Sequence, residues 1–144
     1  AAILTYPDFY KAAVSCAGNH DNNIYNRWWS ETHHGVKEKV SADGDTTFNY
    51  SIEANHQFAK NLKGHLMLVH GDMDNNVHPA NTIRVADALI RANKRFEMLY
   101  LPGQRHGFGD MNEYFFWRMA DFFSRWLIGD CEEDVDISQL NNDL

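Results

Sequence analysis

Two short stretches hold the residues best able to do chemistry. The first is His70-Gly71-Asp72-Met73-Asp74-Asn75-Asn76-Val77-His78, which places two acids and two amides directly behind the apolar run His65 to Val69. The second is Pro102-Gly103-Gln104-Arg105-His106-Gly107, which follows the strand-like run Phe96 to Leu101. Buried parallel strands deliver the residues at their carboxyl ends into the crevice where open α/β sheets keep their sites. A carboxylate after one strand and an imidazole after the next form the back half of an Asp-His relay. The acid accepts a hydrogen bond from one ring nitrogen, and the other nitrogen is left to take a proton.

Other chemistries compete for the acid loop. A calcium loop of EF-hand type would need glycine at its sixth position and glutamate at its twelfth, where Val77 and Ile83 stand. The D-x-D pair Asp72 and Asp74 behind an apolar strand also fits the nucleophile loop of a haloacid-dehalogenase-like phosphatase working with magnesium, although Gly71 and Asn76 fit that loop poorly. The plainest alternative is an Asn/Asp-rich turn that only leads into the next helix. Among the other histidines, His20, His33, His34 and His56 lie in polar stretches and are expected to be exposed, and His33-His34 lacks ligand spacing on a regular element. No metal site and no cofactor are expected.

The elements that must position these loops can be read from periodicity. Ala1 to Thr5 reads as the end of a helix, and Tyr10 to Ala17 as a buried strand ending at Gly18. Residues 19–50 read as a long polar and aromatic loop, with a short helix starting at Trp28-Trp29. Ser51 to Leu62 reads as a helix capped by Ser51, with Ile52, Phe58, Ala59 and Leu62 on its apolar side. Pro79 opens a helix whose apolar face is Ile83, Ala86, Leu89 and Ile90. The last helix is capped by Asn112, packs Phe115, Phe116, Met119, Phe122, Phe123, Trp126 and Leu127 against a sheet, and stops at Gly129. This alternation of strand and helix predicts an α/β fold with parallel strands.

Composition narrows the classes. Of the net charge of −7, six units sit in residues 130–144, which hold six acids and no Lys or Arg; this segment reads as a solvated, disordered tail. No basic face offers itself to nucleic acid, and no apolar run approaches the roughly 20 residues of a membrane span. Cys16 and Cys131 read as two unpaired thiols, one of them buried in a strand.

With these residues in place, the chain resembles the C-terminal part of the catalytic domain in the prolyl oligopeptidase family, in its dipeptidyl peptidase IV branch. The family's acid motif, H-G-x-x-D-x-x-V, is matched by His70 to Val77, and its histidine loop by His106-Gly107. The resemblance implies a partial α/β-hydrolase fold over residues 1–129, the last parallel strands of the sheet with flanking helices. It assigns the triad acid to Asp74 rather than Asp72, and the base to His106. It gives Asn76 the holding of a substrate carbonyl. Val77 becomes part of the pocket for the residue before the scissile bond, and Tyr25 a wall of that pocket. It implies a peptide substrate, release of N-terminal dipeptides, room for a homo-oligomer, and an extracytoplasmic or periplasmic setting.

The nucleophile is not visible. α/β-Hydrolases carry their serine on a G-x-S-x-G elbow ahead of the acid and the histidine. The nearest match, Ala13-Val14-Ser15-Cys16-Ala17-Gly18, carries alanine in place of the motif's glycines and reads as strand followed by loop. The expectation is therefore a C-terminal piece, inactive alone, whose serine elbow and β-propeller lie upstream. A non-catalytic α/β piece that pairs with another chain through its sheet edge and long helix is the remaining alternative.

Overall fold

The computed structural model describes residues 1–49 and 52–130. Three parallel strands, β1 (Ala12–Cys16), β4 (His65–Gly71) and β5 (Glu97–Leu101), form a sheet in the order β1-β4-β5. Helices α1 (Ala2–Thr5), α2 (Arg27–His34), α3 (Ala80–Arg91) and α4 (Asn112–Phe123) accompany it. Strands β2 (Lys37–Val40) and β3 (Thr46–Asn49) pair antiparallel with each other, apart from the main sheet.

Strand β4 organises the core because both its faces are covered. Leu66 and Leu68 pack with Ile3, Leu62, Val85 and Leu89 on one side. Met67 and Val69 pack with Leu101, Phe108 and Phe122 on the other. Successive side chains of a strand point to opposite faces, so a strand buried on both reads as a continuous apolar run. Register follows from this burial: Ser15 lies beside Leu68 and Cys16 beside Val69, while Val69 lies beside Leu99 and Gly71 beside Leu101. Sliding either neighbour by one residue would turn its apolar side chains to the wrong face.

The helices differ from the expected faces in ways that packing explains. Helix α3 buries Thr82, Val85, Ala86 and Leu89, whereas Ile83 and Ile90 face outward. The buried row keeps the helical i, i+3, i+4, i+7 spacing, rotated from the expected one because Thr82 is drawn inward to a hydrogen bond with His70. Helix α4 begins at Asn112 itself, with Met111 in the cap position and no side-chain cap bond. Phe122 is its fully buried residue, Phe115, Phe123 and Trp126 are half-buried against the sheet, and Phe116 and Leu127 face outward. Its last turn, Ser124–Ile128, widens to π geometry and stops at Gly129, whose φ of 88° closes the chain back onto Ser124.

Where a loop is expected over residues 19–50, residues 19–49 hold a helix and a hairpin, and Tyr50 lies outside the described residues. Helix α2 starts one residue before Trp28, capped by the Asn26 side chain on the Trp29 amide. The β2–β3 hairpin turns at Gly44 with φ 84°. The expected helix over residues 51–62 is a 3₁₀ helix confined to Asn55–Asn61, and its expected cap Ser51 lies outside the described residues. Cys16 is exposed at the end of β1 rather than buried, and Cys131 and nearly all of the acidic tail fall outside the described residues. Among the described residues no helix is long and apolar enough to cross a membrane.

His20 departs most from expectation, being buried rather than exposed. Its Nδ1 lies 2.9 Å from the Asn55 amide nitrogen and its Nε2 3.5 Å from the Ser15 hydroxyl. Gly18 makes room for the ring, since a Cβ there would meet His20 Nε2 at 2.5 Å. His56, also expected to be exposed, is half-buried.

Two predictions follow from these contacts. Gly71 passes so close to the Gln104 carbonyl that a Cβ would overlap it, so Gly71→Ala should push the histidine loop away and cost about 1–3 kcal/mol in denaturant unfolding. Burial pushes His20 down to about 4, with the charge of the Ala1 amine and the proximity of His70 adding to the effect. The unfolded chain then takes up this proton near pH 6.5 and the folded chain only near 4. Stability should therefore fall as pH drops through that window, by up to about 3 kcal/mol. In thermal melts across pH, His20→Gln should flatten that part of the profile.

Candidate active site

The site is assembled at the carboxyl ends of β4 and β5. After Gly71 the chain turns, with the Asp74 amide donating to the Gly71 carbonyl at 3.3 Å. Asp74 then folds its side chain over its own loop: Oδ1 accepts from the backbone amides of Asn76 and Val77, each at 2.9 Å. Aspartate favours this local bond because its short side chain reaches amides two and three residues on. The loop thus fixes the carboxylate before any other element contributes.

The second oxygen meets two histidines. His106 Nδ1 lies 2.9 Å from Asp74 Oδ2, and His70 Nε2 lies 3.1 Å from the same atom. The Asp74 side chain is wholly buried, while that of His106 is 45% exposed. Burial alone would push the Asp74 carboxyl above its usual value. The bonds from His106, Val77 and Asn76 outweigh it and hold the carboxyl below its usual value. Asp74 is therefore an anion near neutral pH, and its pull assigns the proton of neutral His106 to Nδ1. Nε2 is left as a lone pair on the solvent side.

The histidine loop is held by backbone packing rather than by regular structure. The Met73 amide donates to the Gln104 carbonyl at 3.0 Å, and the Asp72 amide to the Leu101 carbonyl at 3.3 Å. Beyond His106, Phe108 adopts a left-handed φ of 59° and is buried edge-on to Phe115 of α4, ring centres 5.0 Å apart. His106 stands between these two anchors.

His70 opens the acid motif, but the motif alone gives it no role. It has no exposed surface at all. Its Nε2 faces two acceptors, Asp74 Oδ2 and the Val77 carbonyl at 2.9 Å, so Nε2 carries the hydrogen. Its Nδ1 then accepts from the Thr82 hydroxyl at 2.7 Å. The available signal is a histidine closing an otherwise apolar buried strand, where an unpaired polar group would be costly.

The other expected site residues cluster around this centre. The Tyr25 hydroxyl donates to Asn76 Oδ1 at 2.7 Å, which orients the side-chain amide of Asn76. Tyr25 also packs edge-on to Trp29, whose ring lies 3.9 Å from that of His33. An open cleft of about 330 Å³ runs between Tyr25 and Asn26 on one side and Asn76, His78 and Asn81 on the other. Val77 is buried, so its established contacts are the backbone bonds to Asp74 and His70. Asp72 is exposed and stands apart from this network. Ser15 lies inside β1 and faces His20, and the residues after it form no helix until Arg27, so no nucleophile elbow is built there.

The description of the prolyl oligopeptidase family matches residues 1–130. The chain is 29% identical over 119 residues to a Schizosaccharomyces pombe protein named as a dipeptidyl aminopeptidase, covering 81% of this chain and 13% of that one. It is 24% identical over 126 residues to mouse prolyl endopeptidase FAP, covering 86% of this chain and 16% of that protein. The crystal structure of Porphyromonas gingivalis dipeptidyl peptidase 4 superposes with a TM-score of 0.67 at 29% identity, over 82% of this chain and 16% of that one. The chain thus spans less than a fifth of the length of these relatives. The fold is that of an α/β-hydrolase domain, and the phosphatase alternative gives way to it. The chain belongs to the prolyl oligopeptidase family, on its dipeptidyl peptidase IV branch.

Proposed function

We propose that this chain supplies the acid and base of a serine peptidase that releases N-terminal dipeptides, with Asp74 as the acid, His106 as the base and the nucleophilic serine upstream of Ala1. The observation that carries the proposal is the 2.9 Å bond between His106 Nδ1 and an Asp74 carboxylate already fixed by three further donors. In this reading His106 Nε2 takes the serine proton as the hydroxyl attacks the scissile carbonyl, then returns it to the leaving amine. Asp74 remains an anion throughout and stabilises the imidazolium. Asn76, oriented by Tyr25, offers its amide to a carbonyl of the bound peptide. The names of the relatives, as a dipeptidyl aminopeptidase and a dipeptidyl peptidase, support the dipeptide reading.

In the full-length protein, His106→Gln and Asp74→Asn should each lower kcat on a dipeptidyl anilide by about 10⁴-fold with little change in fold. The isolated 144-residue chain should show no turnover. Cleavage by that chain, abolished by Ser15→Ala, would contradict the proposal.

His70 acts through Asp74. Replacing it by Phe removes a donor from the carboxylate and leaves the Val77 carbonyl and Thr82 hydroxyl without their bonds. We expect a loss of about 1–3 kcal/mol in stability and a kcat lowered by about tenfold, with KM nearly constant. A kcat equal to that of the parent would remove His70 from the positioning of the acid.

A further inference from the structure

The loop from Gly18 to Asn26 carries the pocket wall but has no regular structure of its own. Side chains hold it at four places. The Asp21 carboxylate, with its side chain 6% exposed, takes the Arg84 guanidinium of α3 at 2.6 Å on one oxygen. Its other oxygen takes the Asn23 backbone amide at 3.0 Å and the Asn23 side-chain amide at 2.8 Å. The Asp21 backbone amide donates to Asn81 Oδ1 at 3.1 Å, and the Asn81 side-chain amide donates in turn to the His78 carbonyl at 3.3 Å. Asn23 also grips the Ile52 backbone through both its amide atoms, at 2.7 and 3.0 Å.

These bonds converge on one piece of structure. Asn81 and Arg84 stand on the first turns of α3, and His78 is the last residue of the acid motif that precedes it. The wall loop is therefore tied to the acid loop twice. One tie is direct, from the Tyr25 hydroxyl to Asn76. The other runs beneath the cleft, from Asp21 through Asn81 to His78, reinforced by Arg84. Two loops that lack internal ladders would otherwise move independently, and the distance between Tyr25 and Asn76 would vary with them.

We propose that Asp21 and Arg84 are positioning residues for substrate binding: their ion pair brackets the Tyr25 loop to the helix behind the acid loop, and so holds Tyr25 and Asn76 at the spacing that grips the peptide. This rests on the peptidase reading above and extends it. Neither residue reaches the Asp74–His106 pair, so the bracket acts on affinity and not on proton transfer. The pair is unequal, because Arg84 is 43% exposed while Asp21 is buried. Removing Arg84 leaves a buried carboxylate without its counter-charge; removing the charge of Asp21 leaves the arginine in solvent.

The test uses the full-length protein, the variants Arg84→Met, Arg84→Lys and Asp21→Asn, and three readouts. On a dipeptidyl anilide, Arg84→Met and Asp21→Asn should raise KM about tenfold while kcat stays within about threefold, and Arg84→Lys should recover part of the loss. Reaction with diisopropyl fluorophosphate, which needs the serine and its base but little of the pocket, should keep nearly its parental rate. Amide exchange across residues 19–26 should quicken in Arg84→Met. An unchanged KM with quickened exchange would make the pair merely structural and overturn the proposal, as would unchanged exchange. A fall in kcat and fluorophosphate reactivity together would move the effect to the catalytic centre and overturn it too. If the parent protein reacts with fluorophosphate but releases no dipeptide, the dipeptide-releasing reading fails, and this role in peptide binding fails with it. The exchange arm still reports separately whether the pair holds the loop.

Discussion

The site depends on the satisfaction of one buried carboxylate. Asp74 has no exposed side-chain surface, and an unpaired anion there would be prohibitive. Four donors converge on it: two amides of its own loop and the rings of two histidines. Each donor constrains something else. The amides set the path of Asn75 to Val77, His70 locks that path to β4 and α3 through Thr82, and His106 draws in the loop after β5. A single charge thus orders three loops or elements that share no regular hydrogen-bonded ladder.

The fold makes this convergence possible by geometry at the end of β4. A strand buried on both faces fixes the height and direction from which Asp74 emerges. Gly71, lacking a side chain, lets the Gln104–Arg105 backbone sit directly on the strand end, which brings His106 within reach of the acid. Phe108 then seals the loop against α4. The wall loop is organised by a different principle, with amide and carboxylate side chains replacing the missing backbone ladder. That is why Asn and Asp dominate Gly18 to Asn26.

Much of this was legible in the sequence, and the failures have physical causes. Strands β4 and β5 and the last two helices were clear because long-range packing and local pattern agree there. Order and spacing pointed to an acid in the loop after β4 and a histidine after β5, and the resemblance picked Asp74, His106, Tyr25 and Asn76; the structure brings Asp74 to His106 and Tyr25 to Asn76. The hairpin was missed because its strands are four residues each and exposed on both faces, so no burial imposes alternation on them; the Asp43-Gly44 pair was the one usable signal. The outward turn of Ile83 and Ile90 could not be read from apolar spacing, since the helix is rotated by a polar contact, Thr82 to His70. His20 and His70 illustrate the same limit: a histidine's burial is decided by partners distant in sequence, such as Asn55 and Thr82.

The central claim is that Asp74 holds two histidines in opposite tautomers, one to support the acid and one to act as base. Nitrogen-15 NMR of the histidine-labelled full-length protein measures this directly at a pH where both rings are neutral. The account predicts His106 protonated on Nδ1 and His70 protonated on Nε2, with the His106 preference lost in Asp74→Asn. A neutral His106 protonated on Nε2 would contradict it, because that ring could neither bond to Asp74 as described nor accept a proton from a serine.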